Sequence, residues 1–336
     1  MSNVKTAIFA EKQAGILTYL SRNGEPGLDV GFQCLSEFYT HKTAGITDWT
    51  GFPSGGKTYF VFELLITLSE KYGLRHGLYC PDIGNYNEIW TKIFIMVTGK
   101  NINEKYGNKA KEEDIYKAAS WINHHFIIME RADIKKPVSP VNIWEYVCNF
   151  QDDTGGLNTC LIDSWKNLYH DFGNKREDLY LDYVLNYRNE LADKYQKHFH
   201  TIAHSAKTEI DEGNTYTDEV TGAKRKKRRI PDANDIKGGG SWFASGKNII
   251  TIDYPNKRNN TLDIIISKTK PEGVGKTGTI TGKIKLDYSR SRYYEEFNGQ
   301  RRFSFDKPIS NYNTIDEGIH SNYYETNHNE KDGAPF

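Results

Sequence analysis

The chain is short of the residues that mark several protein classes. It has four cysteines in 336 residues, Cys34, Cys80, Cys148 and Cys160. They lie far apart, without the paired spacing of a zinc site or the density of a disulfide framework. No run approaches the roughly 18 to 20 consecutive apolar residues that a membrane span needs. The opening residues, MSNVKTAIFAEKQ, lack the long apolar stretch of a signal peptide. Neither sign of charge is in excess, since Lys+Arg and Asp+Glu both number 44. That balance excludes a uniformly polycationic nucleic-acid coat and leaves room for a local basic patch. These absences describe a soluble protein of a reducing compartment, expected in the cytoplasm and without a membrane partner.

What is present suffices for a large core, because 37% of the residues are hydrophobic, with 22 Tyr and 6 Trp among the chain. Short apolar runs at 45–50, 76–80, 124–129, 159–162, 200–204, 248–253 and 262–267 read as strands. Helical spacing fills 57–72, 86–96, 109–122, 142–150 and 178–198. This alternation predicts an α/β fold with a mostly parallel sheet flanked by crossover helices. The runs 248–253 and 262–267 predict an antiparallel C-terminal hairpin. Residues 4–20 place Ala7, Ile8, Ala14, Ile16, Leu17 and Leu20 on one helical face, and RNGEPGLD then breaks the pattern. The expected division is an amphipathic linker helix at 1–28, the main domain at 29–295 and a polar, Asn- and Tyr-rich tail at 296–336.

Gly51-Phe52-Pro53-Ser54-Gly55-Gly56-Lys57-Thr58 satisfies the G-x-x-x-x-G-K-[ST] pattern in full. A strand enters it and an amphipathic helix leaves it, which is the context the pattern needs. Glycines let backbone N–H groups wrap phosphate oxygens, and the helix N-terminus adds a favourable dipole. The motif predicts an ATP site: Gly51, Pro53, Ser54, Gly55 and Gly56 form the cradle, Lys57 reaches the β- and γ-phosphates, and Thr58 ligates Mg²⁺. Such a loop needs a carboxylate at the end of a neighbouring buried strand. LNTCLIDSW offers Asp163 there, as the second metal-side ligand, although an aspartate in this position can also cap a helix.

Six blocks follow one another in order: VGFQCLSEFYTHKTAGITDWTGFPSGGKT, GLYCPDI, TCLIDSWKNLYH, TIAHSAKTE, DIKGGGSWFASGKNIITIDY and ISKTKPEGVGKTG. In this order the chain resembles the hexameric replicative DNA helicases of the DnaB-like and Twinkle-like branch, phage-type, over roughly residues 28 to 295. The resemblance implies a RecA-like core, ATP hydrolysis between subunits of a ring and 5′-to-3′ movement on single-stranded DNA. It further implies a hexamer whose linker helix docks on the adjacent subunit, and a primase or loader supplied as a separate polypeptide.

Residue by residue, the family places a water-polarising glutamate where this chain has Asp82, shorter by one C–C bond of about 1.5 Å. The other reading of Asp82 is a helix cap. His204 occupies the position of a polar γ-phosphate sensor; a lone histidine after a strand is otherwise structural. Lys207 opens the channel-facing loop. The run Lys224, Arg225, Lys226, Lys227, Arg228 and Arg229 is either a phosphate-binding footprint on DNA or a solvated charge run. Lys237 precedes the Gly238-Gly239-Gly240-Ser241 segment, where a small-residue backbone can approach a sugar–phosphate strand. Lys268 and Lys270 stand where the family has Lys-x-Arg, the arginine acting on the neighbouring subunit's ATP. Lysine neutralises phosphate charge without an arginine's two-oxygen fork, and both lysines could simply solvate a strand end. Two rival readings accompany the motor. One is a RecA-like regulatory or recombination ATPase that coats DNA without unwinding it; the other is an interaction protein that keeps nucleotide as a structural ligand.

Overall fold

A computed structural model describes residue 13 and residues 27–106, 108–174, 176–205, 210–217, 224–228, 230–256, 260–270 and 275–305. For 210–217, 224–228, 255 and 256 the description is of backbone alone. The helix expected at 4–20, Lys207, Arg229 and the tail beyond 305 lie outside the described residues.

The chain begins β1 (Gly45–Thr50), α1 (Lys57–Tyr72), β2 (His76–Tyr79), α2 (Tyr86–Thr98), α3 (Glu112–His125) and β3 (Phe126–Ile128). It continues α4 (Pro140–Asn149), the two-residue ladder β4 (Gln151–Asp152) and β5 (Gly155–Gly156), β6 (Thr159–Asp163), α5 (Glu177–Tyr195) and β7 (His198–Ile202). Last come the hairpin β8 (Ile210–Thr217) and β9 (Lys224–Arg228), α6 (Gly239–Ser245), β10 (Asn248–Asn256), β11 (Thr261–Lys268), β12 (Gly278–Asp287), β13 (Arg292–Phe297) and β14 (Gln300–Phe303). The main sheet has the order β14-β13-β12-β11-β10-β1-β7-β6-β2-β3. Strands from β10 to β3 run parallel, and β10 to β14 form an antiparallel meander. Helices α1, α2 and α3 bury one face through Phe60, Ile93 and Ile122. Helices α4, α5 and α6 bury the other through Trp144, Leu185 and Trp242. The carboxyl ends of the parallel strands all meet one edge, where open α/β sheets bind ligands.

Three expectations need correction. The antiparallel hairpin forms as expected, but it is the first pair of a five-strand meander whose later strands were not anticipated, because charged residues such as Arg292 and Glu295 are buried there. The sheet also continues past residue 295: β14 pairs with β13, and Ser304 and Phe305 are buried. They are held because Ser304 Oγ donates to Glu63 of α1 at 2.6 Å, and Arg292 donates to the Phe305 carbonyl at 3.1 Å. Finally, β7 starts at His198 rather than at residue 200. Its two histidines are buried, so a hydropathy pattern misplaces the strand.

Those histidines form a one-way hydrogen-bond chain. Trp49 Nε1 donates to His200 Nδ1 at 3.2 Å, which leaves the His200 Nε2 proton to face His41 Nε2, also 3.2 Å away. His198 Nδ1 donates to the Lys42 carbonyl at 2.6 Å, so its Nε2 accepts from Thr47 at 2.8 Å, and Tyr39 supports Thr47 at 3.0 Å. Every nitrogen of His198 and His200 is engaged. The cluster His41, His198 and His200 therefore has no set of lone pairs converging on a metal.

Burial holds His41, His76, His125, His198 and His200 below the usual imidazole range, with His76 at about 3 and His125 and His198 at about 4. In the unfolded chain each gains a proton below about pH 6.5, whereas in the fold it stays neutral. Stability is thus intact above that pH and falls below it, by about 1.4 kcal/mol per pH unit for each histidine. Denaturant midpoints measured from pH 7.5 down to 5 should drop steeply once the pH passes about 6.5. A flat profile would contradict neutral burial.

Candidate active site

The loop between β1 and α1 turns on backbone that few residues tolerate. Gly51 has φ of +132°, Ser54 of +58° and Gly56 of +84°. A Cβ on Gly51 would lie 2.1 Å from the Ile252 carbonyl oxygen, so only glycine lets β1 and β10 leave the sheet this close together. Pro53 and Ser54 form the exposed crest. Lys57 is buried and arches back over its own loop, donating to the carbonyls of Gly51 at 3.1 Å and Phe52 at 2.7 Å. Burial lowers its pKa to about 8 against the pull of Asp163 and Asp82.

Thr58 Oγ1 donates to Asp163 Oδ2 at 2.5 Å, bringing the expected metal pair together across 105 residues. Neither candidate aspartate caps a helix. Asn85 caps α2, in a reciprocal box with Glu88, and Ser164 rather than Asp163 occupies the cap position of the following turn. Asp163 is 2% exposed, and burial, with the nearby Asp82 charge, raises its pKa to about 6 despite the Thr58 bond. A threonine hydroxyl and a carboxylate are hard oxygen donors, and Mg²⁺ takes few protein ligands besides water and phosphate. The pair fits that ion.

Asp82 follows β2, and its N–H donates to the Asp163 carbonyl at 3.2 Å. Its carboxylate accepts from Ser164 Oγ at 2.9 Å, from Asn167 Nδ2 and from His204 Nε2 at 2.9 Å, with Lys166 Nζ 3.6 Å away. Partial burial pushes its pKa up, but these bonds and the Lys166 charge outweigh it, so Asp82 stays ionised below the usual carboxylate range. Burial keeps the His204 pKa below the imidazole norm. His204 is then neutral at pH 7 and presents Nε2–H to the carboxylate, so that nitrogen has no lone pair for a metal. In this arrangement Asp82, Asp163 and His204 are tied to one another and to their neighbours by hydrogen bonds, with ligand atoms within 4.8 Å of one another. Ser164, Lys166 and Asn167 were missed by the sequence reading; the polar DSWKN run that follows β6 is the signal that could have found them.

The remaining candidates lie elsewhere. Lys268 Nζ donates to the Phe243 and Ala244 carbonyls at the end of α6 and sits 5.0 Å over the Phe243 ring. Lys270 is exposed and lines a cavity of about 310 Å³ with Lys42, Lys247 and Asn189. Both lysines occupy the sheet edge opposite the phosphate loop, because β11 runs antiparallel to β10. Within one subunit they do not join Lys57. Lys237 is exposed and pairs with Glu177 at 2.8 Å. Lys224 to Arg228 form a strand, not the open loop that was expected.

At pH 7 the site keeps Asp163 ionised although burial disfavours its anion. That penalty is present above about pH 6 and vanishes once the unfolded aspartate is also protonated, below about pH 4. Asp163→Asn should therefore raise the stability of the nucleotide-free protein at pH 7 by roughly 1–3 kcal/mol while removing turnover. Calorimetry at pH 7 and at pH 4 checks it, with the gain confined to pH 7.

No family model matches the chain, and no curated protein does. Among solved structures, the ATPase domain of a phage protein covers 87% of this chain and 100% of its own, at TM-score 0.65 and 15% identity. A DnaB-like replicative helicase, described with its interactions with primase, covers 86% of this chain and 67% of its own, at TM-score 0.59 and 15% identity. No described helix is long and apolar enough to cross a membrane. The chain has the RecA-like fold of the ATPase domains of DnaB-like helicases.

Proposed function

We propose that the protein is an ATP-dependent DNA helicase motor, active as a ring, with ATP bound at the Gly51–Thr58 loop and Mg²⁺ held by Thr58 and Asp163. The observation that carries the ATPase reading is the 2.5 Å Thr58–Asp163 contact with ionised Asp82 beside it. The N–H groups of Gly56, Lys57 and Thr58 bind phosphate oxygens, that of Gly55 donating to the Phe52 carbonyl, and Lys57 exchanges its loop carbonyls for the β- and γ-phosphates. Bound Mg²⁺ supplies charge neutralisation on those phosphates. Asp82 orients the attacking water and takes its proton, and the His204, Ser164 and Asn167 bonds fix its direction. The nucleic-acid half rests on the fold shared with DnaB-like helicases and on the six-cation run from Lys224 to Arg229. In a ring, Lys270 acts on the neighbour's ATP, while Lys268 is engaged by the end of α6. Single-stranded DNA, other copies of the chain (six, in the preferred reading) and a separate primase or loader are the partners.

One observation favours the alternative of a DNA-coating regulatory or recombination ATPase. Asp82 is shorter than glutamate, and both its oxygens already accept bonds from protein, which suits slow turnover. Particle shape separates the two, since a motor closes into rings and a coating protein forms filaments on DNA.

Steady-state ATP hydrolysis should rise severalfold on adding single-stranded DNA, and Lys57→Ala should abolish it. Turnover unchanged by DNA would remove the motor reading. Lys270→Ala should keep ATP affinity near wild type and cut turnover by at least tenfold, because a trans-acting arginine contributes on the order of 10³ or more and a lysine, without the fork, less. Lost affinity with unchanged turnover per bound ATP would place Lys270 outside that role.

A further inference from the structure

The loop is fastened from a direction that the motifs do not mention. Tyr293 of β13 is fully buried, its ring edge-on to Phe60 at 5.5 Å, and its hydroxyl donates to the Gly56 carbonyl at 3.1 Å. The same carbonyl accepts the Phe60 N–H at 3.0 Å, so both lone-pair directions of this oxygen are fixed. A Cβ on Gly56 would come within 2.6 Å of the Tyr293 hydroxyl. Beside it, Arg292 pairs with Glu63 of α1 at 2.7 Å with both groups nearly inaccessible. Strand β13 therefore grips the helix that follows the loop at two points, two helical turns apart.

The Gly56–Lys57 peptide is planar and trans, so its C=O and N–H point in opposite directions. Holding the carbonyl towards β13 turns the Lys57 N–H the other way, into the hollow of the loop. That N–H belongs to the first turn of α1, whose donors have no intrahelical partner. Burial drives the Tyr293 phenol well above its ordinary pKa, so the hydroxyl remains a donor at every working pH.

We propose that Tyr293 is a positioning residue for nucleotide phosphate, aiming the Lys57 N–H by holding the Gly56 carbonyl. This rests on the nucleotide reading of the loop. Tyr293 touches no ligand itself; it sets the orientation of a donor that does. The bond acts equally on bound substrate and on the transition state, so it governs affinity and leaves the chemical step alone.

Tyr293→Phe keeps the ring and removes only the hydroxyl. Titrating full-length protein with ADP, the variant should bind about three- to tenfold more weakly, because the Lys57 N–H that meets the phosphate is no longer held in place. KM for ATP should rise equally, kcat should not change, and the melting temperature of the nucleotide-free protein should fall only by the few degrees that one buried hydrogen bond is worth. Gly56→Ala gives a second reading. Its added methyl meets the Tyr293 hydroxyl, so the double variant should bind ADP more tightly than two independent losses would allow. Unaltered ADP affinity in Tyr293→Phe would overturn the proposal. So would a loss that only follows a lower melting temperature, with strictly additive effects in the double variant. If wild type itself binds ADP no better than Lys57→Ala, the nucleotide reading fails first, and the proposal falls with it.

Discussion

The strand that leads into the glycine loop is fixed by a charge pair that water never reaches. Arg188 of α5 donates to both oxygens of Asp48 in β1, at 2.6 and 3.0 Å, and both residues are fully buried. Desolvating two such charges costs several kcal/mol each. Two forked bonds, a third to Thr201 at 3.0 Å, and the faces of Trp144 and Trp242 at 5.8 and 5.6 Å offset that cost. One arginine thus joins α4, α5 and α6 to the strand whose last residue opens the loop. A removed partner would leave the other charge stranded, typically a loss of about 3–5 kcal/mol.

The site uses the same physics with weaker partners, since burial raises the pKa of Asp48 and of Asp163 alike. Asp48 has a cation, whereas Asp163 has only a hydroxyl and a lysine that points at its own loop. Its raised pKa and the lowered pKa of Lys57 both express unfinished neutralisation. On the proposed reading, phosphates would complete the surroundings of Lys57, and a divalent cation would be held by Thr58 and Asp163. Asp82 differs, because four neighbours already stabilise its anion, and it keeps one charge state through the working pH range.

Legibility in the sequence followed how local the signal was. Helix α1 matched its expected bounds because the glycine loop fixes its start and Gly73, at φ +66°, fixes its end. The pairing of Thr58 with Asp163 was readable from a strand of apolar residues ending in a carboxylate. The meander was not, since β13 and β14 are rich in charge, and Arg292 and Glu295, which read as surface residues, are buried by partners far away in sequence. Nor could Tyr293 be picked out among 22 tyrosines. Its meaning lies in a contact 237 residues away, and no spacing rule records such a partner. The polar contacts of Asp82 were half legible: Ser164 and Asn167 sit close in sequence to Asp163, but only the fold carries Asp82 to them.

The tie between Glu63 and Arg292 spans 229 residues. During synthesis Glu63 emerges early, yet its only buried countercharge among the described residues arrives near the end of the meander. Until then the helix behind the phosphate loop carries an acid that cannot be sealed into an apolar core. The groups that seal Glu63 and hold the Gly56 carbonyl are therefore in place only once β13 has joined the sheet. A ribosome-bound fragment that already displays the whole glycine loop would still lack a finished one.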